Sequence, residues 1–255
     1  MEIICYSCGR GEKPENTLEG ITHCQAIAPD WRIEMDLRLT KDLEVILFHD
    51  ENAKRTTGID LSIPKATLGQ IRQLNAGYAF HNGQPEQAYR VPLLKEVLEQ
   101  FPQARLLLDV HTPDLRAVDL ILDLIHLHEP SDLVIASEYD EVIAAFREKA
   151  PQLKYGAAAK EAKRLIYSSF LGLDSLFPLK GDVLIIPKLY GKIKVLTPRI
   201  VKHVRKRGKM LWAWVEESEV VKTVESLDDL KMLESLGAEA AFCEFPERLK
   251  KELNA

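Results

Sequence analysis

Residues 31–37 read Trp31-Arg32-Ile33-Glu34-Met35-Asp36-Leu37. The run alternates like a strand, and Glu34 and Asp36, two apart, fall on the same side of it. Two carboxylates on one inward face repel each other unless a cation lies between them. The stretch therefore reads as a candidate hard-metal site of oxygen ligands, with an exposed alternating strand as the plainer alternative. Working outward, strand-like runs recur at Ile3–Tyr6, Val45–Phe48, Arg105–Val110, Asp132–Ala136, Leu153–Ala157, Val183–Ile186, Met210–Val215 and Ala240–Cys243. Helical spacing fills the gaps at Asn16–Ile27, Thr67–Leu74, Leu93–Phe101, Asp114–His126, Glu138–Lys149, Lys160–Phe170, Pro198–Arg207 and Asp228–Leu236. Strand–helix alternation of this kind predicts a parallel sheet with helices outside it. Eight or nine strand candidates favour closure into a TIM-type (β/α)8 barrel over an open sheet, as one unit spanning residues 1–255.

The bulk composition agrees with that size and narrows the chemistry. The chain has 255 residues, 46% of them hydrophobic, and a net charge of −5. It has no broad basic face, which argues against nucleic acid as a partner. No apolar run approaches the roughly 20 residues needed to span a bilayer, and the first residues lack the basic start of a signal peptide; a cytoplasmic location is the expectation. Cys5 and Cys8 form a C-x-x-C without a second pair to complete a zinc site. With Cys24 and Cys243 they read as free thiols, although a redox pair stays open. The polar stretch Ala76–Arg90 reads as a loop.

In such barrels the chemistry sits where strands end and loops begin. The run Val45-Ile46-Leu47-Phe48 ends in His49-Asp50, where an imidazole can act as general acid or base. The run Leu106-Leu107-Leu108 ends in Asp109-Val110-His111, and Asp109 and His111 again share a face. Three strands thus end in carboxylate or imidazole groups on one rim, a coincidence harder to dismiss than any single member.

Pro14-Glu15-Asn16-Thr17, Glu34-Met35-Asp36, and Phe48-His49-Asp50 followed by Arg55-Thr56-Thr57-Gly58 resemble, in order and spacing, the glycerophosphodiester phosphodiesterase pattern. Val91-Pro92-Leu93-Leu94-Lys95-Glu96-Val97 resembles that family's "IPTLEEVL", and Phe245-Pro246 its closing "TDYP" turn. Asn16 or Thr17 also has a local role available as cap of the first helix. The resemblance implies a divalent cation, calcium or magnesium, held by Glu34, Asp36 and Asp109, the last replacing the glutamate of an "E-x-K" strand. It implies two catalytic histidines, one of them His49, and hydrolysis of a small-molecule glycerophosphodiester to glycerol 3-phosphate and an alcohol.

The chain departs from the pattern at the other histidine. The family's His-Arg-Gly falls on Ser7-Cys8-Gly9, the lysine of "E-x-K" has become His111, and an aromatic after a strand-end serine has become Glu138. Serine does not exchange protons near neutrality as imidazole does, and cysteine cannot grip phosphate as a guanidinium does. Three readings stay open. His111 supplies the second imidazole beside His49; the protein keeps binding without turnover, as a phosphodiester or phosphate sensor; or it works slowly with His49 alone. Ser7, Lys188, Trp212 and Trp214 are candidate substrate contacts, the two tryptophans sharing a strand face with core packing as the alternative. Self-association into a homo-oligomer is left open.

Overall fold

The computed structural model describes residues 1–84, 87–218 and 221–255. Its strands are β1 (Glu2–Cys5), β2 (Arg32–Leu39), β3 (Val45–Leu47), β4 (Arg105–Val110), β5 (Asp132–Ala136), β6 (Lys154–Tyr155), β7 (Val183–Tyr190), β8 (Ile193–Lys194), β9 (Met210–Glu217), β10 (Val221–Lys222) and β11 (Ala240–Cys243). Its α-helices are α1 (Leu18–Ile27), α2 (Lys54–Thr57), α3 (Leu68–Ile71), α4 (Leu94–Gln100), α5 (Arg116–His128), α6 (Asp140–Lys149), α7 (Ala159–Phe170), α8 (Pro198–Lys206), α9 (Leu227–Ser235) and α10 (Pro246–Leu253).

Eight of the strands run parallel in the order β6-β5-β4-β2-β1-β11-β9-β7. The ring closes between β6 and β7 through a parallel bridge of Gly156 to Val183. There the N–H of Ala157 donates to the Val183 carbonyl at 2.7 Å and that of Asp182 to the Tyr155 carbonyl at 2.8 Å. This is the (β/α)8 barrel that the alternation predicts.

One strand departs from expectation. β3 pairs antiparallel with the end of β2, Leu39 opposite Val45 and Leu37 opposite Leu47, so it is a hairpin arm and not a barrel strand. The connection 40–44 is far too short for the crossover of a dozen or more residues that parallel pairing needs. The excursion that follows packs its own small core, including Ile46, Phe48, Ile63, Ile71 and Val91. The loop expected over Ala76–Arg90 is irregular where described; Pro85 and Glu86 lie outside the described residues. The helix expected over Thr67–Leu74 is only α3, and α10 adds one the periodicity missed.

Two apolar layers follow from strand alternation. One face of β2 sends Ile33, Met35 and Leu37 toward the surrounding helices. Inside the ring, Ile4, Leu107, Val134, Val183, Trp212 and Phe242 fill the interior. Arg32 runs beneath Trp212, its guanidinium 5.1 Å from the ring, and bonds Glu2, Asp132 and the Leu106 carbonyl.

Candidate functional site

The face of β2 opposite Ile33 and Met35 carries Glu34 and Asp36 into the barrel, and the parallel register sets Asp36 beside Asp109 of β4. One oxygen from each of Glu34, Asp36 and Asp109 lies within 4.8 Å of the others. Glu34 is 2% exposed and Asp36 1%, so water does little to separate their charges. Burial pushes the Glu34 carboxyl well up, and the charges of Asp36 and Asp109 push it further; the Ser7 N–H and His111 oppose this. A crowded, desolvated set of carboxylate oxygens fits a hard divalent cation and suits neither a soft metal nor an anion.

The turn after β1 organises this trio. Ser7, Cys8 and Gly9 take successive positive φ values of 43°, 60° and 75°, which folds the backbone back over β2. The Ser7 N–H then donates to Glu34 Oε2 at 2.5 Å and the Ser7 hydroxyl to Asp36 Oδ2 at 3.3 Å. Cys8 points the other way. It is fully buried, its Sγ 3.6 Å from the Glu34 carbonyl oxygen. The C-x-x-C thus belongs to the packing, and all four cysteines are free and buried. Asn16 donates from Nδ2 to Asp36 Oδ2 at 2.7 Å and accepts from the Asp36 N–H at 2.9 Å. Of the two cap candidates only Thr17 caps α1, accepting from the Gly20 N–H.

Two imidazoles stand beside the carboxylates, their ring centroids 4.6 Å apart. His49 reaches the rim on the returning arm β3, not on a barrel strand, and its carbonyl accepts from Arg38 Nε at 2.6 Å. Its Nδ1 lies 2.7 Å from Asp50 Oδ1. Burial would raise the Asp50 carboxyl, but the bonds from His49 and Arg55 hold it far below its usual range. Asp50 is therefore the acceptor, Nδ1 carries the hydrogen, and Nε2 is left for chemistry. That bond to Asp50 raises the His49 pKa against the effect of burial. His111 places Nε2 3.0 Å from Asp36 Oδ1 and 3.4 Å from Asp109 Oδ2, with Nδ1 3.5 Å from Glu138 Oε1. Burial works against its charge, but Asp109 and Asp36 outweigh it and the pKa is pushed up to about 12.

The site opens into a cavity of about 240 Å³. Glu34, His49 and Asp109 line it together with Tyr6, Trp214, Phe242 and Glu217. Trp214 stands edge-on to Phe242 at 5.6 Å. Trp212, on the same strand face, is one layer lower in the closed interior and does not line the cavity. Lys188 does not line it either; its strand neighbours Leu184 and Ile186 pack outward under the helices. Among the described residues no lysine or arginine lines the cavity. Sequence reasoning missed Tyr6, Phe242 and Glu217 as walls and Asn16 as the partner of Asp36. Burial raises the Glu217 carboxyl. Asp36 also forms a trio with His49 and His111, while a trio away from the cavity, Glu12, His23 and Glu247, serves the packing of the C-terminal helix, because the Glu12 carboxylate accepts from the N–H groups of Glu247 and Arg248 at the start of α10.

Comparison with known proteins agrees with this architecture. The chain is 25% identical to a glycerophosphodiester phosphodiesterase of Caldanaerobacter subterraneus subsp. tengcongensis, over 97% of this chain and 95% of that one. It is 22% identical to the lysophospholipase D GDPD1 of Rattus norvegicus, over 98% of this chain and 85% of the relative. Among solved structures, an Oleispira antarctica phosphodiesterase in complex with the product sn-glycerol-3-phosphate superposes with a TM-score of 0.76 at 22% identity, covering 100% of this chain and 97% of that one. A glycerophosphodiester phosphodiesterase from Agrobacterium tumefaciens gives 0.75 at 17% identity, with 98% and 99% coverage. The model of the glycerophosphoryl diester phosphodiesterase family matches residues 9–248, a span that begins just after Ser7 and Cys8. The chain therefore belongs to the glycerophosphoryl diester phosphodiesterase family.

Proposed function

We propose that this protein hydrolyses a glycerophosphodiester to glycerol 3-phosphate and an alcohol, with a divalent cation, calcium or magnesium, held by Glu34, Asp36 and Asp109. The observation that carries the reading is the juxtaposition of three converging carboxylates with two imidazoles whose rings are 4.6 Å apart. A cation bound there would supply a Lewis acid for a non-bridging phosphate oxygen and offset the charge that develops on it. The remaining work falls to the chain's own side chains. His49, its Nδ1–H fixed by Asp50, holds or takes a proton at one bridging oxygen through Nε2. His111 is the second imidazole, oriented by Asp36, Asp109 and Glu138. Ser7 keeps Glu34 and Asp36 in place through its N–H and hydroxyl. Trp214, Tyr6 and Phe242 wall the substrate and limit water. The product bound to the Oleispira relative matches glycerol 3-phosphate as the released half.

A second reading has one observation in its favour. The Ser7 hydroxyl is tied to Asp36, and by its resemblance to the family pattern this serine falls where that pattern has a histidine, so the residue would offer no proton exchange. On that reading the protein binds a phosphodiester without turning it over.

One experiment separates the two. Release of choline from glycerophosphocholine is measured with calcium, magnesium or manganese and with chelator. Turnover should need a metal, and His49→Ala should lower it about 10²–10⁴-fold while metal binding by calorimetry persists. No turnover with any metal, alongside measurable binding of glycerol 3-phosphate, would sink the enzyme reading and leave the sensor.

A further inference from the structure

Residues 183–215 hold nine lysines and arginines and no aspartate or glutamate, so the rest of a chain of net charge −5 carries −14. α8 lies inside this stretch and turns Lys202, Arg205 and Lys206 to solvent. The hydrolytic site uses none of them.

Beside α8 runs the loop that follows α7. Together with the last residue of α7 it exposes large apolar side chains in close succession: Phe170 at 52%, Leu171 at 76%, Leu173 at 46% and Leu176 at 69%. An ordinary loop tip is polar, and a contiguous apolar patch rimmed by charge marks an interaction surface. The one acid among residues 170–177 does not spoil the charge of this face. Asp174 turns inward and bonds Arg199 Nε and, at 3.1 Å, His203 Nδ1. Arg199 also donates to the Gly172 carbonyl at 2.7 Å, which straps the loop to the helix. Loop and helix share a groove of about 640 Å³ lined by Ser175, Lys202 and Lys206.

The two halves of this face constrain the partner. Unneutralised lysines call for a polyanion, which an apolar protein groove does not provide. Protruding leucines and a phenylalanine call for an apolar phase, which nucleic acid lacks and a peptide rich in carboxylates offers only sparsely. An anionic bilayer supplies both, because apolar side chains seat at the headgroup boundary while lysines reach lipid phosphates. We propose that the α8 face and the 170–177 loop form a peripheral docking surface for anionic lipid bilayers. The inference stands whether or not the cavity hydrolyses its ligand.

The test uses the full chain and vesicles of phosphatidylcholine alone or with about one third phosphatidylglycerol. Co-sedimentation should occur with the anionic vesicles and fade as salt is raised. Leu171→Ser/Leu176→Ser and Lys202→Glu/Lys206→Glu should each reduce the bound fraction about tenfold or more. All four positions are exposed and outside the cavity, so melting temperature and turnover of soluble glycerophosphocholine serve as unchanged controls. Equal sedimentation with both vesicle types overturns the proposal, as does full retention of binding by the leucine variant. Capture of RNA or an acidic protein that only the lysine variant loses, with no vesicle binding, overturns it too.

Discussion

Ser7 and Cys8 are adjacent, yet the left-handed turn sends them to opposite sides of β2. Ser7 faces the carboxylates and Cys8 faces α1, where the site's chemistry cannot use it. This gives substitutions at the two positions opposite outcomes. Ser7→His puts an imidazole beside Asp36, and on the hydrolytic reading glycerophosphocholine turnover should rise about 10²-fold. Cys8→Arg has no room for its side chain: Gly20 of α1 is so close that a Cβ there would lie 2.7 Å from the Cys8 carbonyl oxygen. Burying an unpaired guanidinium should cost more than about 3 kcal/mol in urea unfolding, and a wild-type midpoint for Cys8→Arg would show that this turn is looser than described. At this scale the sequence was legible where periodicity speaks. Period two placed Glu34 with Asp36 and Asp109 with His111. It could not say which inward layer a residue occupies, so Trp212 and Trp214 looked equivalent, although one lies in the closed interior and the other walls the cavity. Nor could it find Asn16, whose partner Asp36 is set by the turn and not by spacing.

At the scale of elements, the seam between β6 and β7 depends on a small residue where the backbones approach. A Cβ on Gly181 would lie 2.6 Å from the Ala157 backbone N and Cα, so only glycine allows the two chains to meet at the Gly156–Val183 bridge. In a flexible loop, Gly→Ala usually stabilises by limiting the unfolded chain; here the sign reverses. Gly181→Ala should lower the melting temperature and speed amide exchange of Ala157 and Asp182, whose N–H groups make the closing bonds. Unchanged exchange at those two amides would mean that the seam accommodates a methyl. The strand list was read well as a list but not in direction. Hydropathy gives β3 the look of a buried strand whichever way it runs, and the information lay in the short connection 40–44. That arm nevertheless delivers His49 to the rim, because the antiparallel return brings the Phe48 N–H onto the Asp36 carbonyl at 2.9 Å.

For the whole molecule, charge is concentrated at both ends of the barrel interior. At the end opposite the cavity, Arg32 and Arg105 both bond Asp132 Oδ2, at 2.9 and 2.8 Å, and Arg32 reaches Glu2 as well. Burial would raise the Asp132 carboxyl; the hydrogen bonds from Arg105 and Arg32 hold it below its usual value. The unfolded chain, with Asp132 near pH 3.9, then binds more protons than the folded one as pH falls. The stabilisation is complete above that pH and disappears as pH drops through the folded value. Asp132→Asn should therefore lower stability near neutrality and flatten the acid limb of a melting-temperature profile; an acid limb as steep as the wild type would assign the loss to other carboxylates. β1 sits between β2 and β11, pairing with residues 240–243 along its whole length. While the chain is being synthesised, that flank of β1 has no neighbour until residues 240–243 have left the ribosome. The β1 strand that leads into the Ser7 turn thus keeps one edge open until then, and a nascent chain stalled before Ala240 presents a bare edge for aggregation.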